Sequence, residues 1–302
     1  MKILICSDGS EQADRAVKLG AAIATGCHAE ATLLGINETS GEDTVLLDSL
    51  KRGQAVLEAK KTRSQLVLKR GNAVEEIANH TRESHYDLVV IGAVRKGLAG
   101  TFWMSSKSYR IIKQVEPPVL SVAGKSSAIR KILICSGGKH YIDNAVRLTG
   151  QIAGGMGSSV SLLHVVPEAP AIYSHLPRMV ETPAEVLSSK SELGVNLRNS
   201  KKILESAGVS ADLRVRTGSV LREILAEISS GDYDLIVAGS ALSRGFRTYV
   251  LGDITRELLN RVSCAVLVVR STPAESDSHS HLPFPKLFHR SRRSAREDGQ
   301  AA

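Results

Sequence analysis

The sequence predicts an α/β chain built from two tandem doubly wound domains, each on a five-stranded parallel sheet. Two observations carry this. A long stretch occurs twice without a gap: Tyr86-Asp87-Leu88-Val89-Val90-Ile91-Gly92 through Pro118-Val119-Leu120-Ser121-Val122 returns as Tyr233-Asp234-Leu235-Ile236-Val237-Ala238-Gly239 through Ala265-Val266-Leu267-Val268-Val269, 147 positions later. Its apolar segments are short continuous runs rich in Val, Ile and Leu, as expected of strands covered on both faces of a parallel sheet. Helical periods separate such runs along the chain, so strand and helix alternate.

Lys2 to Cys6 is the first strand. Ser7-Asp8-Gly9-Ser10 turns the chain, and Ser10 is placed to cap the next helix. That helix runs to about Ala24 and sets Ala13, Ala16, Val17, Gly20 and Ile23 on one face. A strand over Ala29–Ile36 leads through a polar loop to a helix from Val45 to about Lys61, then a strand over Ser64–Lys69. Gly71 turns the chain into a helix near Val74–Glu83, with Asn72 and Glu75 spaced as a capping-box variant. The repeated stretch then supplies a strand, a loop of small and basic residues, a helix and a last strand. Right-handed crossovers between parallel strands complete the first domain, residues 1–125.

Gly124-Lys125-Ser126-Ser127 reads as a linker. Lys131-Ile132-Leu133-Ile134-Cys135 then repeats Lys2 to Cys6 residue for residue, at an offset of 129. The offset reaches 147 by the third strand, so the second domain, residues 129–270, holds 18 extra residues near Pro167–Pro183. This insertion reads as a surface loop, a lid or a contact surface. Thr182-Pro183-Ala184-Glu185 closes it with a capping box and a proline at the first helical position. From Ser271 to Ala302 the composition shifts to Ser, His, Arg and Pro without apolar period, which reads as a disordered tail. Its Leu282–Phe288 patch is a candidate docking motif, and Arg290–Ser294 a candidate phosphorylation site or acidic-surface contact. Its His279, His281 and His289 lack the carboxylate or thiol framework of a metal site.

Composition excludes several classes. No apolar run nears the roughly 18 residues of a membrane span. Met1-Lys2 leads straight into a strand, so no signal peptide is expected. The net charge of +8 comes from scattered basic residues with no DNA- or RNA-binding motif, so no nucleic-acid partner is expected. Cys6, Cys27, Cys135 and Cys264 form no C-x-x-C pair. Cys6 and Cys135 hold equivalent strand positions as core filling, and buried thiols fit a reducing cytoplasm.

In open α/β sheets, ligands bind at the carboxyl edge of the strands. Gly92 and Gly239 open loops there, where a glycine permits a sharp turn and close approach. Ile3 to Ser10, the alanine-rich helix, Asp87 to Gly92 and Pro118 to Val122 together resemble a universal stress protein domain. The second copy resembles it through Ile132 to Gly138, Leu162-Leu163-His164-Val165, Asp234 to Gly239 and Ala265 to Val269. The resemblance implies Rossmann-like (HUP-type) sheets of order 3-2-1-4-5 and domains that pair through their last strands. One chain then supplies both halves of an intrachain pseudo-dimer, with homodimer formation open. It implies a regulatory stress-response protein, not an enzyme.

ATP-binding members of that family use an aspartate after the first strand, a backbone position ending the second, and a loop G-x2-G-x9-G-(S/T). Glycines there bare N–H groups to phosphate, and the hydroxyl residue sits at a helix N-terminus, where the dipole favours an anion. By this resemblance the first domain offers Asp8, Ile36, Gly92, Ser105 and Ser106. Arg95 stands at the second glycine and Ser105 at the third. Arg95 either fills the phosphate site or pairs with a phosphate. The second domain offers Val165, Gly239 and Gly252, but Gly137 replaces the aspartate, Leu242 the second glycine and Asp253 the hydroxyl. A carboxylate at Asp253 repels a triphosphate, or simply caps the helix. Neither half holds the full ATP pattern, so the first reading is a pseudo-dimer with degraded sites that works through protein contacts; the alternative is a switch that binds ATP or another adenine nucleotide, in the first domain before the second.

Rival activities find less support. Ser136-Gly137-Gly138-Lys139-His140 resembles the start of the SGGxDS pyrophosphatase loop of adenylating enzymes, but His140 and Tyr141 replace its last two residues. No GxSxG elbow marks a hydrolase, and no GxGxxG follows either first strand.

Overall fold

The computed structural model describes residues 1–39, 43–93, 95–96, 103–124, 128–139, 142–168, 182–240 and 251–270. The first half runs β1 (Lys2–Ser7), α1 (Glu11–Gly26), β2 (Glu30–Asn37), α2 (Thr44–Ala59), β3 (Ser64–Arg70), α3 (Ala73–Glu83) and β4 (Leu88–Gly92). Two short strands, β5 (Arg95–Lys96) and β6 (Trp103–Met104), pair antiparallel in what reads from sequence as loop. Then come α4 (Ser106–Gln114) and β7 (Val119–Val122). The second half runs β8 (Lys131–Ser136), α5 (Asp143–Met156), β9 (Ser159–Pro167), α6 (Pro183–Ser188), α7 (Glu192–Ser206), β10 (Ala211–Gly218), α8 (Val220–Gly231), β11 (Leu235–Ser240), α9 (Asp253–Arg261) and β12 (Ala265–Arg270). Most of the insertion, residues 169–181, and the tail, 271–302, lie outside the described residues.

The strands form one ten-stranded sheet, β10-β9-β8-β11-β12-β7-β4-β1-β2-β3. Each half is parallel in the order 3-2-1-4-5. The halves join where β12 pairs antiparallel with β7, Leu267 opposite Leu120. Cross-half bonds flank the seam: Arg270 Nη2 donates to the Ile112 carbonyl at 2.8 Å, and the Met104 N–H donates to Asn260 Oδ1 at 3.0 Å.

Each face of the sheet carries one apolar core shared by both halves. The helices α1, α2, α5 and α7 cover one face. The helices α3, α4, α8 and α9 cover the other. Ile5, Leu33, Leu50 and Leu57 are fully buried on the first face, each worth about 1.5–3 kcal/mol against exposure. The caps are local. Ser10 Oγ accepts the Ala13 N–H at 3.2 Å, and Asn72 Oδ1 accepts from Val74. Thr182 and Glu185 form the expected reciprocal capping box, with Pro183 first in its helix. The second helix ends at Ala59, earlier than the apolar period indicates, because Lys61 adopts a left-handed φ of 56°.

The repeated Tyr-Asp motif is a structural clamp. Asp87 Oδ2 accepts the Lys2 N–H at 2.7 Å, and Asp234 Oδ2 accepts from Arg130 and Lys131 at 2.8 and 3.1 Å. The Lys2 and Lys131 ammonium groups lie 5.1 and 4.9 Å from the Tyr86 and Tyr233 ring centres. Each clamp locks the start of a first strand to the start of its fourth.

Candidate functional site

A cavity of about 300 Å³ opens at the carboxyl edge of β1 and β4 in the first half. That is near the lower end of the roughly 300–1,000 Å³ of ligand pockets. Of the residues picked out by sequence, Asp8, Ile36, Gly92, Ser105 and Ser106 all line it. Apolar wall comes from Ala13, Ile77, Ile91 and Ile111. Asp8 Oδ1 accepts the Ser10 N–H at 3.0 Å, which fixes the turn and leaves the other oxygen to accept from a ligand. Gly92 serves packing: a Cβ there would fall 2.7 Å from the Gln12 carbonyl carbon and oxygen, so only glycine lets the first turn of α1 approach β4.

The N-terminus of α4 faces the same cavity. Ser105 is its cap and accepts the Ser108 N–H at 3.2 Å. Ser106 and Lys107 come next, and N–H groups of a first turn have no intrahelical partner. Together with the dipole they favour an anion. Arg95 lies with its backbone in β5, opposite Met104.

Two charged residues escaped the sequence reading. Lys107 lines the cavity and ion-pairs with Glu38, just beyond β2. Glu38 also accepts the Ala73 N–H, at the start of α3, at 2.9 Å. Burial alone would raise the Glu38 carboxyl. The bonds from Lys107 and Ala73 and the Lys107 charge outweigh that and hold it below the ordinary range, against the nearby Asp8. The pair spans 69 positions, so no local pattern announces it. Cys6 lies in the cavity wall, and burial pushes its thiol far above the ordinary range. It is packing, not a nucleophile.

The second half has an equivalent cavity of about 600 Å³, lined by Gly137, Val165, Gly239, Gly252, Asp253 and Ile254 among others. Gly252, not Asp253, is the cap of α9, which corrects the expectation that Asp253 caps it. Asp253 is the first helical residue, its side chain 91% exposed and 3.4 Å from Arg256. Thr255 Oγ1 donates to the Gly239 carbonyl at 3.3 Å. Lys139, in the stretch resembling a pyrophosphatase loop, is ion-paired with Glu192 at 2.9 Å. His140 and Tyr141 lie outside the described residues.

The universal stress protein family profile matches residues 1–123 and again 128–270, nearly the whole described chain. The chain belongs to the universal stress protein family. Universal stress protein YxiE of Bacillus subtilis is 28% identical over 145 residues, 46% of this chain and 98% of that protein. Universal stress protein MJ0531 of Methanocaldococcus jannaschii is 25% identical over 146 residues, 48% of this chain and 85% of its own. A universal stress protein structure from Archaeoglobus fulgidus aligns over 89% of this chain and 98% of that one, at a TM-score of 0.63 and 16% identity, which speaks to fold alone. This universal stress protein thus joins in one sheet two family units, residues 1–123 and 128–270. Among the described residues no helix is long and apolar enough to cross a membrane.

Proposed function

We propose that this universal stress protein is a non-enzymatic stress-response regulator whose first half binds an adenine nucleotide, the two halves acting as an intrachain pseudo-dimer. One observation carries the reading. A single first-half cavity gathers the Asp8 carboxylate, an apolar wall of Ile36, Ile77 and Ile91, and the Ser106 and Lys107 end of α4. The wall suits a base, the carboxylate accepts from a hydroxyl or amine, and the helix end with its lysine suits a phosphate. The Ser105 hydroxyl there caps α4, and the one thiol is held protonated. That supports binding over chemistry. Four free thiols, Cys6, Cys27, Cys135 and Cys264, support a reducing compartment such as the cytoplasm.

Calorimetric titration with ATP, AMP and cyclic AMP, with and without magnesium, tests this. The expected result is one nucleotide per chain, with affinity falling about tenfold or more in Asp8→Ala, the cost of one charge-assisted hydrogen bond. Lys107→Ala weakens nucleotides but not adenosine. Absence of heat from any nucleotide, in folded and ligand-free protein, would move the function to protein contacts of the pseudo-dimer.

A further inference from the structure

We infer that the second-half cavity takes an uncharged, largely apolar small molecule with one O–H or N–H donor, and not a nucleotide. The inference concerns a different site from the nucleotide reading and does not rest on it. The registers fix which residues correspond. Ser7 pairs with Gly35 as Ser136 pairs with His164, and Ile36 pairs with Lys69 as Val165 pairs with Arg216. At the positions of Asp8, Glu38 and Lys107 stand Gly137, Pro167 and Ile254, all three lining the second cavity. Every charged group set around the first cavity by those positions is gone. Ala73 has become Val220, and Ile224 repeats Ile77.

The cavity is also about twice the volume, 600 against 300 Å³. Ile254 is one of few large apolar side chains exposed among the described residues, at 38%, and it lies on this wall. An aliphatic side chain left open to water beside a cavity gains by being covered with apolar surface. Phosphate is disfavoured besides. Where the first half offers Ser106, the first residue of α9 is Asp253, whose carboxylate already occupies the anion-favouring end of the helix.

One polar group gives the cavity direction. His164, 8% exposed and on the wall, has Nδ1 3.0 Å from the Ser136 carbonyl. A carbonyl only accepts, so Nδ1 is the donor, and the tautomer that carries its proton there has Nε2 as an acceptor. In the first half this position is Gly35. The fitting ligand is an aromatic or alicyclic body with a hydroxyl or amine pointed at His164.

N-phenyl-1-naphthylamine, neutral and carrying one N–H, is the probe for fluorescence titration of the full chain. The expected result is saturable binding of one probe per chain, undisturbed by saturating ATP. Ile254→Lys, which restores the cation of the first half at an exposed position, weakens it about tenfold or more, the value of roughly one buried aliphatic side chain. Gly137→Asp, on another exposed loop, weakens it as well, and circular dichroism checks that both variants fold. A linear, unsaturable signal overturns the inference. So does equal affinity in both folded variants, or displacement by ATP. Failure of the ATP titration above leaves this result unaffected, so the two readings fall separately.

Discussion

Replacing Glu227 by alanine is expected to destabilise the chain by about 2–3 kcal/mol, read from the midpoint of urea unfolding. The Glu227 side chain, on α8, is 1% exposed. Its carboxylate accepts from Arg214 Nη1 at 2.6 Å, Arg216 Nε and Nη2 at 2.8 and 2.6 Å, and the Tyr233 hydroxyl at 2.8 Å. Alanine strips both arginines and the buried tyrosine of this acceptor. Breaking a fully buried pair costs roughly 3–5 kcal/mol. The arginines are 39% and 33% exposed and turn partly to water, which sets the lower figure. Glu227→Gln keeps an acceptor for Tyr233 and is expected to fall between.

The same network dictates a pH dependence. Burial alone would raise the Glu227 carboxyl, but Tyr233, Arg216 and Arg214 together hold it below its ordinary 4.5. A carboxyl lowered by folding stabilises fully above that value, and its contribution is lost as pH falls through the lowered folded value. The gap between wild type and Glu227→Gln should therefore close in acid. The equivalent position in the first half is His80, whose Nε2 lies 2.9 Å from the Tyr86 hydroxyl. Burial, then the Lys69 charge, holds this imidazole below its ordinary 6.5. Here the unfolded chain takes up the proton first, so stability begins to fall once pH drops below 6.5 and levels off when the folded ring also titrates. His80→Gln should remove this upper step and leave the lower one.

Sequence reached the strands and helices because each rests on local signals: β-branched runs, the alanine face of α1, and Ser10, Asn72 and Thr182 at helix starts. The duplication aligned the halves, and the family resemblance supplied the strand order. Long-range partnerships were out of reach. Glu227 sits in Leu221-Arg222-Glu223-Ile224-Leu225-Ala226-Glu227, where nothing separates a buried glutamate from a solvated one. The available signal was comparative: alternate residues Arg214 and Arg216 share one strand face, and the repeat puts Glu227 where the first half has His80. Glu38 with Lys107 is of the same kind, and such pairs need the sheet to bring them together.

Gly155→Val is expected to destabilise by about 3 kcal/mol, at the top of the roughly 1–3 kcal/mol for overpacking, by prising the halves apart on one face of the sheet. The resemblance implied pairing through the last strands. The structure adds a second contact, where the end of α1 meets the end of α5. A Cβ on Gly155 would lie 2.7 Å from the Gly26 carbonyl oxygen and 2.8 Å from Cys27 Sγ, and one on Gly26 would lie 2.6 Å from the Gly155 carbonyl oxygen. The obstacle is backbone on both sides, so no rotamer change relieves it and one helix must move. Gly155→Ala sets two effects against each other: alanine gains about 1 kcal/mol of helix propensity over glycine, and the clash removes it. A net loss in that variant gives the contact its weight. Since β7 and β12 still pair, Gly155→Val should keep its circular dichroism yet unfold in two transitions where wild type shows one. A variant as stable as wild type, with a single transition, would mean that the strand seam alone holds the halves together.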